Sequence, residues 1–142
     1  MHVRETLAAF LTLAAVTVAA GAGAEGTPPA LGRWITETGN YEVDIAPCDD
    51  KLCGTIVTVL GNRSMSDPSV EMVPADPRPA LGMRILTDLV PYGDRTWSGS
   101  VYNRENATTY SCTVTLLETG QLKVRGYVGL PMFGRTAIWH RP

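Results

Sequence analysis

Residues 108–128 read TTYSCTVTLLETGQLKVRGYV, and the spacing of this stretch decides the fold. Glu118-Thr119-Gly120 is a turn signal between two alternating runs. As a three-residue loop with Gly120 left-handed, it sets Leu117 opposite Gln121, Leu116 opposite Leu122, Val114 opposite Val124, Cys112 opposite Gly126 and Tyr110 opposite Val128. All the apolar partners then share one face. A two-residue loop would set Leu116 against Lys123 and Val114 against Arg125. Side chains alternate with a period of two, so that slip would turn basic residues toward the core. The pattern selects the three-residue hairpin.

The same alternation extends outward. Thr96 to Tyr102 and Met83 to Val90 precede the hairpin as strand candidates, separated by Pro91-Tyr92-Gly93-Asp94, which reads as a turn. Asn103-Arg104-Glu105-Asn106 turns the chain into the hairpin, and Arg135 to Arg141 follows it as the last strand. Upstream, Leu31 to Thr36, Tyr41 to Ile45 and Leu52 to Leu60 complete eight candidates. Between Gly61 and Leu81 stand Pro68, Pro74, Pro77 and Pro79, which forbid a helix or a central strand there. That segment is expected to be a long loop, of a length that is usually either functional or mobile. With 14 Gly, 10 Pro and no amphipathic helical pattern, the chain is expected to be all-β. Eight short strands joined by tight turns suggest an antiparallel up-and-down barrel, whose closure removes sheet edges; a sandwich is the alternative.

The 142 residues are enough for one domain, and 12 Lys+Arg against 14 Asp+Glu leave a net charge of −2. That balance argues against nucleic-acid binding, which needs a basic face. Arg4, the apolar run from Leu7 to Ala20 and Ala22-Gly23-Ala24 have the order of a secretory signal cleaved after Ala24. The expectation is a signal peptide at 1–24 and a single barrel domain at 25–142, in a periplasmic or secreted protein. In an oxidising compartment Cys48 and Cys53, with four residues between them in a polar turn, are expected to pair, leaving Cys112 a buried free thiol. Zinc would need more ligands than these cysteines and His140 supply.

Several segments, taken in order, carry a resemblance. They are Gly32-x-Trp34, Cys48 through Cys53-Gly54, Asp76-Pro77 through Leu81-Gly82, Trp97-Ser98-Gly99-Ser100-Val101-Tyr102, Tyr110, Leu122 through Gly126 and Arg135 through Arg141. Together they resemble the bacterial exported family known as domain of unknown function 2147. Gly32-x-Trp34 with Arg141 is also similar to the signature of lipocalin-like barrels. The resemblance implies a lipocalin-like barrel in which Trp34 packs across the closed end and Arg141 covers it. It implies no activity. Asn103 to Asn106 and Tyr127 depart from the family pattern, which leaves no inherited pairing for Cys112.

Catalytic chemistry has little support. His140 is the only histidine after the leader, and alternation places it opposite Trp139 on the last strand. Glu42 and Asp44 share a face that reads as solvated, and Asp67, Glu71 and Asp76 lack the dense spacing of a calcium loop. No cofactor or metal is expected. The expected inward residues are Tyr41, Val43, Ile45, Val57, Ile85, Trp97, Val101, Val114 and Val124, none of them ionised. Gly99 and Gly126 would leave room in the middle of the wall. Met65, Met72 and Met83 add soft side chains around the long loop. These features point to a monomer that binds a small apolar molecule through Trp97, Val101, Tyr102, Met132 and Phe133, the last two acting as a lid. The alternative is a solid barrel that docks on a membrane or envelope protein through the apolar loop Leu130 to Phe133.

Overall fold

A computed structural model describes residues 29–130, 132 and 134–142. The expected signal peptide at 1–24, and Phe133, lie outside the described residues. Eight strands follow in chain order: β1 (Gly32–Ile35), β2 (Tyr41–Cys48), β3 (Lys51–Val59), β4 (Arg84–Gly93), β5 (Thr96–Asn103), β6 (Thr108–Leu116), β7 (Leu122–Tyr127) and β8 (Arg135–Trp139). Each pairs antiparallel with its sequence neighbour in one sheet of order β1 to β8. Ile35 and His140 exchange backbone hydrogen bonds of 2.7 and 3.1 Å, bringing the first and last strands together. The result is a nearly closed up-and-down barrel.

The β6–β7 hairpin has the register that its alternation requires. Cys112 faces Gly126, Val114 faces Val124 and Leu116 faces Leu122. Gly120 is left-handed at φ 86°, and the Leu117 amide donates to the Gln121 carbonyl at 2.9 Å. The ladder ends at Ser111 and Tyr127, one step before the expected Tyr110–Val128 pair. Gly129, at φ 77°, turns the chain aside there and leaves Val128 exposed.

Three other expectations change. β4 runs through Pro91, which pairs with Trp97, and the turn falls at Asp94 and Arg95 instead. β3 pairs with β4 only as far as Leu89, so the Pro91 nitrogen has no neighbouring strand to bond on that side. Ile56, not Val57, faces the core, because Val43 pairs with Ile56 while Glu42 pairs with Thr58. Val57 is the extra residue of that bulge, and a continuous apolar run gives no phase from which to read one. Gly99 leaves no room in the wall. A Cβ there would stand 2.6 Å from the Thr87 carbonyl oxygen, because the bulge at Asp88 and Leu89 presses against it.

An up-and-down path places the β2–β3, β4–β5 and β6–β7 turns at one end of the barrel and the other connections at the opposite end. The first end is closed by packing. Trp34 is fully buried, pairs with Val43 and donates its indole N–H to the Ala30 carbonyl at 2.8 Å. The Arg141 guanidinium lies 3.8 Å from the centre of its ring and donates to the Arg33 and Pro29 carbonyls. Leu52, Leu89, Trp97, Val114 and Leu122 belong to the same buried cluster.

Cys48 and Cys53 are bridged across the β2–β3 turn with Cα atoms 5.7 Å apart, and Cys112 is free and buried. Burial pushes the Cys112 thiol up to about 12. The native protein is therefore expected to resist a thiol reagent at pH 8, and to show one reactive thiol per chain once unfolded without reductant. A native thiol that reacts at once, or three thiols after unfolding, would contradict this arrangement.

Candidate functional site

The other end of the barrel encloses a cavity of about 560 Å³. That is within the range of roughly 300–1,000 Å³ found for small-molecule sites. Alternation builds its wall: Tyr41 from β2, Ile85 from β4, Val101 from β5, Tyr110 from β6, Val124 and Gly126 from β7, and Ala137 and Trp139 from β8. Gly126 leaves little spare room of its own, since a Cβ there would stand 3.2 Å from Val101 and 3.7 Å from Tyr110, and Val101 would have to give way. Among the described lining residues, ionised groups stand only in the connections and at the start of β8: Glu37, Arg104, Glu105 and Arg135. The expectation of an interior without charge thus holds for the strand wall and not for the mouth.

The long loop crosses this mouth as a strap. Buried Asn40 holds it at one side, donating from Nδ2 to the Arg63 carbonyl and accepting from the Arg63 amide, both at 2.7 Å. On the β5–β6 turn, the Glu105 carboxylate accepts from Ser64 Oγ at 2.5 Å and from the Met65 amide at 2.7 Å. Arg135 donates to the Met65 carbonyl from the start of β8. Met65 and Ser66 consequently form part of the cavity lining.

Further along, the loop is anchored on the outer wall through Asp76. This carboxylate, 5% exposed, accepts from Arg78 Nη2 at 2.6 Å and from the Tyr102 hydroxyl at 2.5 Å. Hydrogen bonds from Arg78 and then from Tyr102 hold the Asp76 carboxyl well below the usual carboxylate range. Arg104 donates to the Arg78 carbonyl, and the Ala75 amide donates to the Glu105 carbonyl. Met72 and Met83 are buried beneath the loop rather than exposed to a ligand. Among the described residues, Asp67, Glu71 and Asp76 do not form a metal-binding group.

The residues proposed from sequence separate on this frame. Val101 and Tyr102 line the cavity, although Tyr102 directs its hydroxyl outward to Asp76. Trp97 is packed in the core cluster and is not part of the cavity lining. Met132 is 72% exposed and does not line the cavity either, whereas Met65 from the long loop does. Sequence reasoning passed over Tyr110, Ala137, Trp139, Asn40 and Glu105. The first three follow from strand phase once β6 and β8 are placed. Asn40 and Glu105 read as ordinary turn residues, and nothing local marks what they hold.

From residue 32 to 141 the sequence matches the family described as "Uncharacterized protein conserved in bacteria (DUF2147)". The chain belongs to this family. No curated protein matches this DUF2147 chain. Among solved structures it is similar to one described as "Protein HP1028 from the human pathogen Helicobacter pylori belongs to the lipocalin family". The two are 20% identical, with a TM-score of 0.52, and the match covers 72% of each chain. At that identity the likeness concerns the fold. It gives the DUF2147 barrel a lipocalin-like architecture, with one packed end and one strapped, hollow end.

A second depression of about 610 Å³ lies on the outer wall between residues 78–84 and β4, β5 and β6. Its lining includes Arg78, Arg84, Thr87, Ser100 and Thr109. Arg78 is already committed to Asp76, and the depression lies on the outer face of the sheet. The cavity inside the barrel is the stronger candidate.

Proposed function

We propose that this protein binds a small, largely apolar molecule in the cavity beneath the strap. The observation that carries the reading is the apolar strand wall around about 560 Å³, with ionised groups confined to the mouth. Burial of apolar surface supplies the affinity, and a wall without counter-charges disfavours an ionised occupant. The lipocalin-like fold and the description of the solved relative as a lipocalin support the same assignment. We place the protein in the periplasm or outside the cell, with residues 1–24 as the cleaved leader. The Cys48–Cys53 bridge fits an oxidising compartment.

The test is titration with N-phenyl-1-naphthylamine, a neutral dye that brightens in apolar surroundings. Saturable binding of a single dye per chain is expected, and Ala137→Trp should abolish it by filling the cavity that Ala137 lines. Circular dichroism and a melting curve would show that the variant is folded. No saturable binding by the wild type would refute the cavity reading.

One observation favours a second reading. Val128, Leu130 and Met132 are 71%, 56% and 72% exposed beside the mouth. An apolar loop of this kind suits docking on a membrane or an envelope protein. Phe133→Ser should then weaken flotation with phospholipid vesicles while leaving dye binding intact. If Phe133→Ser instead weakens dye binding alone, the loop belongs to the ligand site.

A further inference from the structure

Tyr41 opens β2 beneath the Asn40-held strap; it is 6% exposed, and its ring forms part of the cavity wall. Its hydroxyl oxygen is buried and has no hydrogen-bond partner among the described residues. Other polar groups of the wall are matched: Tyr102 donates to Asp76, Tyr110 accepts from Asn106, and Thr36 Oγ1 accepts from the Tyr41 amide. A buried hydroxyl without a partner is destabilising, and phenylalanine would fill the same space without that penalty. The orphaned hydroxyl is therefore unexplained by packing and lies on a residue of the binding cavity.

Resting on the cavity reading above, we infer that the ligand is a neutral lipophile carrying one carbonyl or hydroxyl oxygen, which Tyr41 hydrogen-bonds inside the barrel. The body of the ligand is apolar because Ile85, Val101, Val124 and Ala137 surround it. Its polar group is neutral because the strand wall around Tyr41 carries no ionised side chain, and the charged lining residues stand at the mouth, held in place there by hydrogen bonds. Arg104 serves the Arg78 carbonyl and Arg135 the Met65 carbonyl, while Glu37 accepts from the Ile138 amide and Glu105 from the strap. A charged head beside Tyr41 would lose its hydration without a counter-ion. The Tyr41 oxygen is covered by its neighbours, so the inferred bond requires the side chain to shift toward the cavity that the residue already lines.

Two dyes of equal size test this: a dimethylaminonaphthalene bearing a propionyl ketone, whose emission moves to longer wavelength when the ketone accepts a hydrogen bond, and its propyl analogue without the oxygen. The wild type should bind both and prefer the ketone. Tyr41→Phe should weaken the ketone about five- to tenfold, the equivalent of one net hydrogen bond. It should also move the bound ketone's emission to shorter wavelength, leave the propyl analogue's affinity unchanged and melt no lower than the wild type. If ketone affinity and emission are the same in Tyr41→Phe, the inference is overturned while the cavity reading stands. If Tyr41→Phe melts well below the wild type, the hydroxyl has a structural partner and the inference is also overturned. If neither dye binds the wild type, the cavity reading fails and this inference fails with it.

Discussion

Trp34→Ala is expected to remove about 3–5 kcal/mol of stability, the range for truncating a large aromatic residue in a packed core. Trp34 is fully buried at the closed end, is bonded through its indole N–H to the Ala30 carbonyl and is covered by the Arg141 guanidinium. Burial lowers the Arg141 pKa, so this cation has given up part of its hydration to lie on the ring. Truncation removes the ring's contacts with Val43 and the surrounding cluster, and it leaves Arg141 without its aromatic face. Since single domains hold only about 5–15 kcal/mol in total, the loss threatens folding itself. At about 5 °C per kcal/mol for a domain of this size, the melting temperature should fall by on the order of 15–25 °C. A Trp34→Ala protein that melts with the wild type would show that the closed end does not depend on the ring.

Gly99→Ala should be nearly as damaging although it adds a single methyl group. The added Cβ would stand 2.6 Å from the Thr87 carbonyl oxygen, 2.9 Å from that of Asp88 and 2.9 Å from Leu89 Cδ2. Two of these neighbours are backbone atoms of a bulge, in which Asp88 is left-handed at φ 56°, so they cannot move aside as a side chain does. Overpacking of a well-filled interior costs about 1–3 kcal/mol, and contact with backbone puts this site at the upper end. Either β4 shifts or the β4–β5 ladder opens. Chemical denaturation should show a lower midpoint with an unchanged slope. Hydrogen exchange should quicken at amides of β4 and β5 while the β6–β7 hairpin stays protected. Wild-type stability in Gly99→Ala would mean that the bulge does not press on this position.

How much of the molecule was legible varies with the distance over which its causes act. The β6–β7 register follows from Leu116, Val114 and Leu122 around one left-handed glycine, all within a single hairpin. The Cys48–Cys53 bridge closes a turn of its own. Val57 was misplaced because its phase depends on a bulge opposite β2, and Trp97 because the height at which the barrel stops being solid cannot be read along one strand. Met132 drew attention as an exposed apolar residue near the mouth. Among the described residues, Met65 lines the cavity from the long loop, delivered there by Asn40, Glu105 and Arg135.

The sequence by itself determined the eight strands, their up-and-down order and the all-β class, because period-two alternation and turn chemistry are local properties of the chain. Only the tertiary structure decided which part of the barrel is filled and which is hollow. Interior space depends on how eight strands are staggered and bulged against one another, and those displacements are set by contacts between residues far apart in sequence. It also decided that the proline-rich loop is a strap over the mouth and that the Tyr41 hydroxyl is buried without a partner among the described residues. Both depend on side chains that meet only after the barrel has closed.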